Sequence, residues 1–220
     1  MLAGLNSFTL TPEQWIDKTK KLIFLNKILL TKCGYKMRIA ICKLILKILG
    51  WKAVGELPPE KKCIIIGVPH TSAWDFLISY ISFTTLGGNA NVVIKKEFFF
   101  WPLGYFLRKM GGLKVDRSKG ANLVRQIIKL FNEREFMHLA ITPEGTRKLT
   151  HKWKAGFHII ARSAGVPVYL SSFDWGRKEF TIWQKFEMTD SAEADIIRIK
   201  DFYREKGVIG KHPDKFTTEY

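Results

Sequence analysis

From residue 63 onward, apolar residues fall into short β-rich runs that alternate with stretches of helical spacing. Cys63–Val68 is an uninterrupted uncharged run, which predicts a strand buried on both faces. The pattern then predicts a helix over Ser72–Leu86, a strand over Asn91–Ile94 and a short strand over Leu113–Val115. A helix follows over Asn122–Asn132 and a strand over Met137–Thr142. Ala155–Ala164 is expected to be helical, Pro167–Ser171 and Phe180–Phe186 extended, and Ala192–Tyr203 helical. Strands alternating with helices predict an α/β domain whose largely parallel sheet is flanked by helices.

The N-terminal quarter follows another pattern. Between Trp15 and Val54 stand ten basic residues and a single acid, Asp17, interleaved with Leu22-Ile23-Phe24-Leu25, Ile28-Leu29-Leu30 and Ile39-Ala40-Ile41. On a helical wheel Lys36, Lys43 and Lys47 fall within about 40° of one another, while Ile41, Leu44, Ile45, Ile48 and Leu49 spread over the other faces. Gly34 offers a break between two such helices. This predicts an N-terminal amphipathic helical extension that binds an anionic phospholipid membrane, over residues 1–57, with the joint at Pro58-Pro59 and the α/β domain over 58–220. A helical hairpin packed on the core with solvated lysines is the plainer alternative.

Composition sharpens the choice of partner. The chain has 220 residues, 46% of them apolar and 25% charged, so wholesale disorder is excluded. Its formal charge of +16 calls for an anionic partner: lipid, nucleic acid or a phosphorylated substrate. Cys33, Cys42 and Cys63 form no C-x-x-C pair, which speaks against a disulfide framework or a zinc knuckle. The first residues lack the pattern of a signal peptide, and no run of 18 apolar residues is free of charge. A peripheral protein on the cytoplasmic face of the cell membrane is expected.

Candidate chemistry gathers just after the expected strands, where open α/β sheets place their ligand sites. His70 and Asp75 stand five apart, about 140° within one helix, so they meet only if His70 precedes the helix and Asp75 lies on its first turns. Thr71 or Ser72 is then a plausible N-cap. Asp75 would fix one imidazole nitrogen and leave the other as a base acting on a substrate hydroxyl, since no serine stands in a nucleophile elbow. Thr142-Pro143-Glu144-Gly145-Thr146-Arg147 follows another strand: Gly145 allows close backbone approach, Arg147 offers a fork of donors for phosphate, and Glu144 can hold a hydroxyl or orient Arg147. Arg117 ends the strand after Gly111-Gly112, and Lys95 and Lys96 follow Asn91–Ile94. Each feature alone is compatible with a turn or a structural pair; together they describe a phosphate pocket beside a base. The remaining histidines, His138, His151, His158 and His212, have no metal-ligand spacing and are read as structural or exposed.

In this order the blocks resemble the glycerolipid acyltransferase superfamily, in particular the 1-acylglycerol-3-phosphate (lysophosphatidic acid) acyltransferases. His70 through Asp75 matches the His-four residues-Asp block, Gly112 through Arg117 the second, Thr142 through Lys148 the third, and Val166-Pro167-Val168-Tyr169 the fourth. The basic stretch Ile94-Lys95-Lys96-Glu97-Phe98 is similar too, and the whole covers about residues 60 to 175. The resemblance implies acyl transfer from acyl-CoA or acyl-carrier protein, as co-substrate, to the hydroxyl of a lysophospholipid. In it His70 is the base and Asp75 its holder. Glu144, Gly145 and neighbouring Thr146 lie in the acceptor-binding block, while Arg117, Arg147 and Lys95 or Lys96 meet the phosphate. No metal and no bound cofactor are implied. Lys148 stands where the pattern has serine, and Phe173 through Lys178 departs from it. Two readings remain beside it: an acyltransferase for another lipid hydroxyl, or a non-catalytic basic protein binding lipid or nucleic acid. Nucleic acid is disfavoured, because it explains the charge but not the density of Ile and Leu in the basic segment.

Overall fold

The computed structural model describes residues 34–116 and 120–220. The chain divides into two compact units, Met1–Ile41 and Cys42–Tyr220. In the first, residues 34–41 are helical, Gly34 included, and the other helix of the expected pair lies outside the described residues.

The second unit is built on a seven-stranded sheet. In chain order it contains α1 (residues 42–49), β1 (Lys52–Val54), β2 (Lys62–Val68), α2 (Trp74–Thr85), β3 (Ala90–Lys95), α3 (Leu103–Lys109) and β4 (Gly112–Val115). There follow α4 (Gly120–Glu133), β5 (Met137–Ile141), α5 (Gly156–Ala164), β6 (Val168–Asp174), β7 (Glu179–Phe186) and α6 (Ala192–Lys206). The strand order is β1-β7-β6-β2-β5-β3-β4, parallel throughout except for the antiparallel β6–β7 pair. The exception has a local cause. Only Trp175 to Lys178 link β6 to β7, too few for a crossover, and Asp174 Oδ1 closes the turn by accepting from the amides of Gly176 (2.9 Å) and Arg177 (3.1 Å).

The unbroken apolar run of β2 is explained by its central place. Ile64, Ile66 and Val68 point into one buried cluster, with Phe131 of α4, Phe157 of α5 and Tyr203 of α6. Cys63 and Ile65 point to the opposite face, with Ile78 and Ile81 of α2 and Leu46 of α1. In α4 the residues Val124, Ile127, Ile128 and Phe131 repeat at three and four, and this stripe faces the sheet while Arg125 and Lys129 are exposed. α6 begins with Ser191 Oγ accepting from Ala194 N at 3.2 Å and ends at Gly207, whose φ is +58°.

The boundary expected at 57/58 shifts toward the N-terminus. Lys52–Val54 pairs with Glu179–Thr181, and Cys42, Leu46 and Trp51 are buried in the same cluster as β7's Phe180 and Ile182. A three-residue edge strand is too short to carry a periodicity, so its membership rests on pairing. Helix α3 likewise gave no sequence signal, because its residues are apolar on several sides.

Candidate functional site

Parallel pairing brings the carboxyl ends of β2, β5 and β6 together. Ile66 of β2 is opposite Ile141 of β5, and Val68 is opposite Ser172 of β6, so the turns after these strands are neighbours. His70 follows β2, Glu144 follows β5, and Trp175 follows β6.

Asp75, in the first turn of α2, is 1% exposed and well supplied with donors. Its Oδ2 accepts from Thr71 N at 2.8 Å and Ser72 N at 2.7 Å, and lies 3.2 Å from His70 Nδ1. Its Oδ1 accepts from Trp175 Nε1 at 2.8 Å. The N-cap is Ala73, with no side-chain bond of its own, rather than Thr71 or Ser72; Ser72 Oγ, one residue earlier, accepts from Trp74 N at 3.2 Å. With Nδ1–H assigned toward Asp75, Nε2 of His70 carries the lone pair, and the His70 side chain is 24% exposed. The required geometry, His70 ahead of the helix and Asp75 within it, is thus met.

Glu144 ties the third block to the first. Its Oε2 accepts from His70 N at 2.7 Å, while Oε1 is buried with no hydrogen-bond partner among the described residues. Burial pushes its carboxyl up to about 8; the His70 amide opposes that shift and the charge of Asp75 adds to it. The neutral form of Glu144 is thereby favoured at neutral pH. Gly145 turns the chain at φ +63°, its amide donating to Thr142 O at 3.1 Å.

Beside this pair lies an open cleft of about 450 Å³. Thr71, Ser72 and Ala73 form part of its wall, Thr146, Arg147 and Lys148 another, and His212 and Lys215 a third. Arg147 and Lys148 are exposed. Lys95 ends β3 and Lys96 follows it at the same sheet edge, two strands from β2 and so roughly 10 Å along it. Lys96 is bonded to Asp116 at 2.7 Å, which holds its ammonium above the ordinary range. Arg117 lies outside the described residues. The structure thus joins His70, Asp75, Glu144, Gly145, Thr146 and Arg147 closely, with Lys95 and Lys96 further along the edge.

A sequence model of the Acyltransferase family matches residues 53–171, more than half of the chain. The chain belongs to the Acyltransferase family. The solved structures include a similar one, the 1-acyl-sn-glycerophosphate (LPA) acyltransferase PlsC from Thermotoga maritima, with a TM-score of 0.57, 19% identity and 81% of each chain covered. At that identity the likeness is one of fold, an α/β domain with a mostly parallel sheet. Comparison with curated proteins gave no match.

The family match contains the His70, Glu144 and Arg147 blocks, but three residues of the site lie beyond it: Trp175, His212 and Lys215. Trp175 had one sequence signal, its place directly after a strand on the same edge. His212 and Lys215 had none; His212, read as structural or exposed, is half-buried and lines the cleft. His138 and His158 keep that reading: both are buried, His138 bonded to Glu60 O at 2.8 Å and His158 beside Asp195 at 3.3 Å.

Proposed function

We propose that this acyltransferase moves a fatty acyl group from an acyl thioester, acyl-CoA or acyl-carrier protein, to the free hydroxyl of a lysophospholipid such as 1-acylglycerol-3-phosphate. His70 Nε2 takes the hydroxyl proton as the oxygen attacks the thioester carbonyl. The tetrahedral adduct then expels the thiolate, and the imidazolium returns the proton to sulfur, so protons and bonds balance without an acyl-enzyme. Asp75 stabilises the imidazolium and fixes its orientation. Glu144 and Gly145 help bind the acceptor and Arg147 meets its phosphate, with Lys95 or Lys96 as a further cation along the edge; Arg117 is assigned to the phosphate from its sequence block alone. The observation that carries the reading is the His70–Asp75 contact of 3.2 Å, with the next residues, Thr71 and Ser72, lining a cationic cleft.

Action at an anionic membrane, on its cytoplasmic face, is part of the proposal. Supporting it, Leu44 and Ile48 of α1 are exposed beside Lys43 and Lys47. After β3, Phe100, Trp101, Tyr105 and Phe106 are exposed next to Lys95, Arg108 and Lys109. Among the described residues no helix is long and apolar enough to cross a membrane.

The test is transfer of a labelled acyl group to lysophosphatidic acid on anionic vesicles, with wild type beside His70→Ala. Product from wild type alone is expected. Undiminished transfer by a folded His70→Ala protein rules out the base assignment. A vesicle-bound wild type that makes no product sets this acceptor aside in favour of another lipid hydroxyl.

A further inference from the structure

The segment after α6 crosses back over the first block and is held there at several points. Trp175 N donates to Ile209 O at 2.8 Å, and His212 N donates to Thr71 Oγ1 at 3.2 Å. The ammonium of Lys211 lies 5.1 Å from the Trp74 ring centre and 4.8 Å from that of Trp175. Gly210 packs so closely that a Cβ there would come within 2.8 Å of Thr71 Cγ2. Phe216 then stacks near Trp153, ring centres 6.5 Å apart.

This anchoring delivers His212 and Lys215 to the cleft that Arg147 and Lys148 also line. No carboxylate lines that cleft among the described residues, and none forms an ion pair with Arg147, Lys148 or Lys215. In a protein with 20 acidic residues, three uncompensated cations around one cavity constitute a site for multiple negative charge. Lys148, where the family pattern places serine, adds to it. We infer that the C-terminal segment forms one wall of a phosphate site, in which Lys215 and His212 act with Arg147 and Lys148 on a phosphate monoester dianion. Arg147 supplies the planar fork, the lysines compact charge, and His212 a neutral or charged donor. The dianion comes from the acceptor's headgroup or from a nucleotide-bearing thioester donor; the first source rests on the function proposed above.

Equilibrium titration separates these. Glycerol 3-phosphate and free coenzyme A are each titrated into wild type, Lys215→Ala and Lys215→Arg, with thermal unfolding as a control. Lys215 is exposed, so the unfolding temperature is expected to hold. Affinity for one of the two ligands is expected to fall about tenfold in Lys215→Ala and to recover in Lys215→Arg. Loss for glycerol 3-phosphate assigns the wall to the acceptor, and loss for coenzyme A assigns it to the donor. Unchanged affinity for both, or no binding of either by wild type, overturns the inference. Because binding is read without turnover, a wild type that binds but makes no acylated product sets the proposed acceptor aside and leaves this site standing.

Discussion

The indole of Trp175 donates to Asp75 Oδ1 at 2.8 Å, across a hundred residues of chain. The two backbone amides that hold Asp75 bond only Oδ2, so Trp175 fixes the other oxygen and with it the plane of the carboxylate. The indole is itself fixed by Trp51, packed edge-on at 5.0 Å, and by Lys211 on its ring. Asp75 thus takes a hydrogen bond from the turn after β6, the strand beside β2.

Replacing Trp175 with Phe keeps most of the ring packing and removes the donor. Hydrogen bonds to charged groups contribute about 1.5–3 kcal/mol, of which the part realised with the imidazolium present appears in the rate. A fall in kcat of about tenfold or more at unchanged acceptor KM is expected. Equal kcat in a folded variant, judged by near-ultraviolet circular dichroism, assigns Trp175 to packing alone.

Glu144 gives a pH dependence with a definite sign. Its folded value, about 8, stands above the ordinary 4.5, so between these limits the folded protein holds a proton that the unfolded chain releases. Stability from this group is complete below about 4.5 and falls as pH rises toward 8. Glu144→Gln keeps an acceptor for His70 N and removes the titration. Urea midpoints measured from pH 5 to 8 are expected to decline less steeply in the variant; parallel profiles refute the assignment.

Gly145→Ala tests the turn that brings Glu144 and Arg147 to the cleft. A Cβ at φ +63° costs about 1–2 kcal/mol and would come within 2.9 Å of the Lys154 side chain, whose flexible end can move aside. A lowered unfolding temperature and a higher acceptor KM are expected together. A loss of stability with unchanged KM confines the glycine to folding.

Trp101 is 88% exposed, so its replacement by Ser is expected to leave the unfolding temperature unchanged. Binding to anionic vesicles should weaken several-fold, with a component that survives high salt in wild type and shrinks in the variant. Equal vesicle partitioning removes this segment from the membrane contact.

The strands and helices of the core were legible because their periods are local. Cys63–Val68 had to be central, since an uncharged run of that kind leaves no face for water, and it stands between β5 and β6. His70 and Asp75 were legible as a pair for a similar reason: one turn of chain joins them, and only one placement relative to a helix lets them meet. Glu144 was visible as a residue but not as a brace, because its bond to His70 N depends on β5 lying beside β2.

What the sequence by itself determined was the α/β class, the basic surplus, and the blocks that end at the strands' carboxyl edge. What only the tertiary structure decided was which residues from distant chain complete that edge. Trp175, His212 and Lys215 reach it through the β6–β7 hairpin and the return of the C-terminal segment over Thr71. Such contacts follow from strand order and register, which are set by how the whole apolar surface is buried and leave no mark in the neighbourhood of any single residue.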